Sequence, residues 1–233
     1  MRIRKANDRG LTHIEWLYSR HSFSFGEYYD PQVMGFRALR VINDDVIEPG
    51  HGFGMHGHRD MEIITVVVEG CLEHRDSLGH GKILRPGEVQ VMTAGRGIRH
   101  SEFNPSTTAP VRLIQVWIEP SEIALTPAYA QEAFPMEDRI NKLLRVAGPE
   151  SSTDRALRIN QDAHIYVSIL QAGMGLNFQV RASRGVWIQI VQGACAINGE
   201  SVQAGDGIAC EDEGLVSLTG EAETTEIILF DLS

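Results

Sequence analysis

His56 and His58 stand two residues apart in GHGFGMHGHRDMEIITVVVEG, and His100 and Glu102 stand two apart in AGRGIRHSEFN. In a β-strand, residues i and i+2 share a face, about 6.6 Å apart along the axis. An imidazole is long enough for two such side chains to converge on one ion at about 2.0–2.2 Å. Two pairs on neighbouring strands would set three imidazoles and one carboxylate around a single centre. One His-x-His pair alone is compatible with a polar strand face. Two pairs, each in a glycine-rich frame, point to a metal. Neutral imidazoles with a carboxylate suit Fe(II), and also Zn, Mn, Co, Ni or Cu. Four protein ligands on a six-coordinate ion leave positions open, which favours catalysis or ligand binding over a closed structural site. His51, His74 and His80 lie nearby; the last two sit in the polar EHRDSLGHGK and read as solvated. Phe53, Met55 and Ile98 flank the pairs and are candidate pocket walls or core residues.

The elements that must hold these groups read as short strands. HSFSF (21–25) alternates, and Asp30-Pro31 marks a turn. GFRALRVINDDVI (35–47) reads as a strand that breaks at Asn43-Asp44-Asp45, with Pro49-Gly50 a second break. Met61 to Val68 is a β-branched run. CLEHRD, KILRPGEVQVM and VRLIQVWIEP add further strands separated by Gly or Pro. This is the pattern of an antiparallel sandwich or barrel. From about 121 to 160 the pattern changes: TPAYAQEAF and MEDRINKLLRV carry apolar residues at roughly helical spacing, and GPESSTDRA reads as a polar loop. The last third then repeats the first in outline. VWIQIVQG matches MEIITVVVEG, AINGESVQAGDGIA parallels the region around 78–92, and EIILFDL parallels LIQVWIEP. The second copy has no His-x-His, so its metal set is lost.

With 233 residues the chain can bury a sizeable core. Its formal charge of −10 repels phosphate backbones and anionic lipid, so neither a direct nucleic-acid partner nor membrane docking is expected. No apolar run is long enough to span a bilayer, and MRIRKANDRG lacks the apolar core of a secretory signal. Cys71, Cys195 and Cys210 form no CxxC spacing, which suggests free thiols in a reducing cytoplasm.

Gly50, His56, His58, Glu62 and Gly70 resemble the first motif of the cupin superfamily, and Gly95, Gly97, His100 and Asn104 its second. Longer stretches are more specific. HSFSFGEYYDPQVMGF, LRVINDD, HGHRDMEIIT and AGRGIRHSEFNPS resemble the pirin family, and the resemblance extends over the whole chain. It implies an all-β bicupin of two tandem jelly-roll-like barrels. Residues 1–135 would be the metal-binding cupin, 136–160 a short, partly helical linker, and 161–233 a degenerate cupin without metal. By motif position the ligands fall on His56, His58, His100 and Glu102, around one divalent metal, first of all Fe(II). Many cupins use the carboxylate of the first motif, here Glu62, as the ligand; in the pirin pattern Glu62 becomes an outer or pocket group. Bacterial members resemble quercetin 2,3-dioxygenases, in which a flavonol gives up its 3-hydroxyl proton and O2 opens the heterocycle, releasing carbon monoxide. Glu102 would then be the catalytic base. The alternative implied by the eukaryotic members is an iron-dependent regulatory protein that docks on a protein partner without turnover.

One prediction follows from the asymmetry between the repeats. Saturated protein is expected to bind one transition metal per chain, as measured by elemental analysis after dialysis. Two tightly held ions per chain would overturn it.

Overall fold

A computed structural model describes residues 1–149 and 155–233. The chain forms two compact units: Gly10–Ala133 with Leu157–Gln161, and Met1–Arg9 with Phe134–Ala156 and Asp162–Ser233. Each is a pair of antiparallel sheets, one large and one small, packed face to face. Hydrogen bonding closes neither into a full barrel, so each is the flattened, two-sheet form of the jelly roll.

In the first unit the large sheet runs Ala128–Ala133, Glu88–Thr93, Glu62–Glu69, Val111–Ile118, Leu39–Ile47, Leu17–His21, Gly10–Ile14. The small sheet runs Gly52–His58, Ile98–Phe103, Leu72–Asp76, Gly81–Leu84. Alternation drives the packing: in the large sheet Leu17, Ile47, Val67, Val111 and Leu113 point inward, where they meet Leu72 and Leu84 of the small sheet. A second inward cluster joins Ile63 and Met92 to Ile98. Ile98 is therefore core.

The second unit repeats the plan. Its large sheet runs Arg2–Arg4, Gly207–Cys210, Gly185–Gln192, Thr224–Leu232, Ala163–Gln171, Leu144–Gly148, and its small sheet Gly175–Val180, Gly214–Gly220, Ala194–Ile197, Glu200–Gln203. Its core cluster is apolar, from Ile188 and Leu229 to Cys195 and Leu218. The two cysteines here are small buried residues, and Cys71 is partly buried; all three are free thiols. Arg2–Arg4 enters this unit by pairing with Gly207–Cys210. Asp206 clamps the turn that follows, accepting from the Ala6 backbone N–H at 2.7 Å and from Lys5 Nζ at 3.2 Å.

Several expectations need correction. The boundaries are not 1–135 and 161–233, because the first nine residues complete a sheet of the second unit. Residues 136–160 are not a linker. Met136–Arg139 is a single helical turn, Leu144–Gly148 pairs with Ala163–Gln171, and Leu157–Gln161 packs in the first unit. AYAQEA is a strand, not a helix: its helix-favouring Ala, Gln and Glu are overridden by pairing with Glu88–Thr93 along its whole length. HSFSF leaves the sheet after His21, whereas a hairpin of Gly10–Ile14 with Leu17–His21 precedes it. Asn43-Asp44-Asp45 does not break its strand, which runs unbroken over Leu39–Ile47. The expected polar loop from Gly148 to Ala156 lies largely outside the described residues. No helix among the described residues is long and apolar enough to cross a membrane.

Gly52 sits where its strand crosses close to Ile98–Phe103. A Cβ there would collide with the Glu102 carbonyl oxygen and lie 2.6 Å from the Phe103 Cα, whereas one on Gly54 would meet nothing within 4 Å. Gly52→Ala is expected to cost about 1–3 kcal/mol, as overpacking does, and Gly54→Ala much less. Urea unfolding checks this, and equal effects would contradict it.

Candidate metal centre and its cavity

The two paired motifs lie on adjacent antiparallel strands of the small sheet. His100 faces His56 directly and Ile98 faces His58. Past His100 the register slips, so that Glu102 faces Phe53. Gly54 and Met55 thus lie opposite Ser101 alone. The extra residue is a β-bulge, and it turns Phe53 and His56 to the same side. The donor atoms of His56, His58 and His100 lie within 4.8 Å of one another. Their rings stand 4.4–4.9 Å apart, centre to centre. Glu102 does not join that trio at the same spacing; it falls in a second trio, with His74 and His100, also within 4.8 Å. His100 belongs to both.

His74 corrects the sequence reading. It is fully buried and lies in the strand Leu72–Asp76, opposite Glu102. Leu72, His74 and Asp76 alternate inward, and the polar turn begins only after Asp76. Its Nε2 pairs with Asp76 Oδ2 at 3.1 Å, and the same carboxylate holds His80 Nδ1 at 2.9 Å. Tyr129 stacks on both rings. His80 is anchored as well as partly exposed.

Polar partners fix the groups around Glu102. Gln115 Nε2 donates to Glu102 Oε2 at 2.8 Å, while Gln115 Oε1 accepts from Trp117 Nε1 at 3.1 Å. His56 Nδ1 contacts the Gly54 carbonyl at 2.8 Å, which directs Nε2 away from the strand. Both ring nitrogens of His100 and Oε1 of Glu102 are buried without a hydrogen-bond partner. Such atoms are costly in a folded chain, and a cation held by one His100 nitrogen and Glu102 Oε1 would satisfy those two. The donor set therefore fits a metal.

Electrostatics agree. Burial, and then the neighbouring His56, His58 and His74, push His100 down to about 2. Burial and His56 push His58 down to about 4. Both imidazoles are neutral at physiological pH, as metal ligation requires. Burial raises Glu102 to about 7, against the hydrogen bond from Gln115.

Glu62 is elsewhere. It is fully buried, and its carboxylate accepts from Thr93 Oγ1 at 2.8 Å and Asn160 Nδ2 at 3.1 Å. It lies outside both trios of possible ligands. In chain parity it also faces away: Glu62 is out of step with the inward Ile63 and Thr65.

His56 and His58 open onto a cavity of about 640 Å³. Trp16, Phe25, Phe53 and Trp117 give it aromatic walls, and Ser19, His21, Asn43, Asp45, Glu102 and Gln115 line a polar side. Of the three expected wall residues only Phe53 is there. Met55 is 48% exposed, because the bulge directs it outward, and Ile98 is core. His51 stacks on Trp16 outside the cluster. His21, Asn43, Asp45, Gln115 and Trp117 escaped the sequence reading. Their signal was period-two spacing, Asn43 with Asp45 and Gln115 with Trp117, inside otherwise apolar strands.

The Pirin family model matches residues 3–118, and that of the quercetinase C-terminal cupin domain matches 146–232. A quercetin 2,3-dioxygenase of Escherichia coli K12 is 47% identical over 230 residues, covering 99% of this chain and 97% of that protein. A pirin-like protein of Caulobacter vibrioides is 40% identical, covering 93% and 92%. The crystal structure of the E. coli bacterial pirin YhhW in complex with nickel(II) superposes with a TM-score of 0.93 at 47% identity, covering 99% of this chain and 98% of that one.

The cavity's second buried carboxyl gives a pH prediction. Burial raises Asp45 from 3.8 to about 7, a hydrogen bond from Ser19 opposing and the Asp44 charge adding to it. Between those values the folded chain holds a proton that the unfolded chain has lost. Stability from this group therefore falls as pH rises through the window and levels above about 7. Asp45→Asn removes the effect. Its stability relative to wild type is expected to be greater at pH 8 than at pH 5 by roughly 2–3 kcal/mol. Urea unfolding of metal-free protein at the two pH values measures this, and an unchanged difference would refute it.

Proposed function

The chain belongs to the pirin family, and from that premise we propose that it is a metal-dependent dioxygenase that opens the heterocycle of flavonols such as quercetin with O2. The observation that carries the reading is the meeting of the His56–His58–His100 cluster and Glu102 with an aromatic-walled cavity. Its volume lies within the range of sites that enclose small molecules, about 300–1,000 Å³. Relatives nearly half identical along the whole chain bear the name quercetin 2,3-dioxygenase, which supports the substrate class.

In this reading His56, His58, His100 and Glu102 hold one divalent transition metal, Fe(II) by our proposal, with nickel supported by the complex of the E. coli pirin. Bound there, the metal supplies Lewis-acid polarisation of a substrate oxygen. The rest is done by the chain. Trp16, Phe25, Phe53 and Trp117 flank a flat ring and keep water off it. Gln115 holds one oxygen of Glu102 and leaves the other to face the ligand. Glu102, on the cavity wall beside the imidazoles, is the base for the 3-hydroxyl proton. Three free cysteines suit a reducing compartment, and we place the protein in the cytoplasm.

The test compares the two buried carboxylates. Glu102→Gln is expected to weaken metal retention and abolish flavonol-dependent oxygen uptake. Glu62→Gln should cost no more than about 10–100-fold, as for groups beyond the ligands. Metal content and oxygen uptake of both variants, prepared side by side, decide it. If Glu62→Gln loses both properties while Glu102→Gln keeps them, the ligand set includes Glu62 instead. If metal-loaded wild type takes up no oxygen with any flavonol, the enzyme reading fails in favour of a docking protein.

A further inference from the structure

We propose that Asp45 is the group by which this cavity recognises a second hydroxyl on its aromatic ligand, one ring removed from the hydroxyl that meets Glu102. The proposal rests on the flavonol reading and deepens it.

The polar side of the cavity is built in rows across three strands. His21, Asn43 and Gln115 are register partners in one row, and Ser19, Asp45 and Leu113 in the next. Neighbouring same-face rows are about 6.6 Å apart. The first row is internally satisfied. His21 Nδ1 meets Asn43 Oδ1 at 2.8 Å, His21 Nε2 meets Thr12 Oγ1 at 2.9 Å, and Gln115 is held between Glu102 and Trp117.

The second row is not. Asp45 is 3% exposed and lines the cavity, yet its Oδ1 is buried without a hydrogen-bond partner. Of the cavity-lining residues, only Asp45 and Glu102 have a buried side-chain oxygen in that condition. Glu102 belongs to the first row through Gln115 and faces the imidazoles. The Asp45 oxygen is left one row further along the wall. An unpaired carboxyl oxygen in a buried wall is unfavourable for the fold alone. A phenolic hydroxyl is the matching group: it is planar with its ring, it exchanges a hydrogen bond with a carboxyl in either protonation state, and it fits between aromatic walls. A flat molecule with hydroxyls on two rings spans both rows; one with a single hydroxyl satisfies only the first.

The experiment is anaerobic calorimetry of metal-loaded protein, which reads binding without turnover. The probes are quercetin, hydroxylated on both outer ring systems, and 3-hydroxyflavone, which carries only the 3-hydroxyl. Wild type is expected to bind quercetin about 10–100-fold more tightly, as expected for a desolvated polar group that gains its partner. Asp45→Leu should lose that preference while binding 3-hydroxyflavone within about twofold of wild type. Asp45→Asn keeps the shape and one acceptor, and should restore part of the preference. Unchanged metal content in both variants shows that the site is intact; if Asp45→Leu does not fold, a preference in Asp45→Asn equal to wild type overturns the proposal. So does an equal loss of affinity for both probes, or a wild type that binds both alike. A wild type that binds neither probe overturns the flavonol reading, and this inference with it.

Discussion

Everything at the centre depends on one antiparallel pairing, between Gly52–His58 and Ile98–Phe103. The pairing makes His100 the cross-strand partner of His56, so two local motifs more than forty residues apart become one cluster. The bulge in the same pair adds a second effect. Without it Phe53 would lie on the opposite face from His56, and the cavity would lack one of its aromatic walls. A close backbone approach at Gly52, which leaves no room for a side chain, holds the slipped register.

The rest of the first unit can be understood as support for that pairing. One end of its interior is apolar, where Leu72 and Leu84 meet Leu113 and Val111. The other end is polar, and there the large sheet carries Asn43, Asp45 and Gln115 on the same inward face. Glu102 is fixed from the large sheet through Gln115, and His100 is backed by His74 and Asp76 from its own sheet. The second unit has the same strand order around an apolar core cluster. Its strands Gly175–Val180 and Gly214–Gly220, the counterparts of the two strands that carry the histidine cluster, hold no His, Cys, Asp or Glu. The same scaffold thus serves as a packed core in one unit and as the shell of a cavity in the other.

The central cluster could be read from the chain because it depends on parity alone. His56 with His58, and His100 with Glu102, share faces in any strand. What could not be read depended on partners distant in sequence. Asn43-Asp44-Asp45 has turn composition, and pairing on both sides, with Leu17–His21 and Val111–Ile118, makes a strand of it. Local preference and global structure conflict there, and such conflicts gather at functional sites. His74 looked solvated because the turn composition starts in the next few residues, although the strand it ends is buried. Ala128–Ala133 has helix formers at almost every position, and its sheet neighbour decides otherwise. The first nine residues gave no sign that their partner stands some two hundred positions later.

That last pairing has a consequence for how the chain is made. Arg2–Arg4 is synthesised some two hundred residues before Gly207–Cys210, against which it hydrogen-bonds. Between them lies the whole of Gly10–Ala133, which has its own core and can fold while translation continues. The unit with the histidine cluster is in effect inserted within the other along the chain. The early strand must therefore wait, unpaired, until the late one arrives. Its length of three residues and its arginines at positions 2 and 4 make such a waiting edge a poor template for association with other chains.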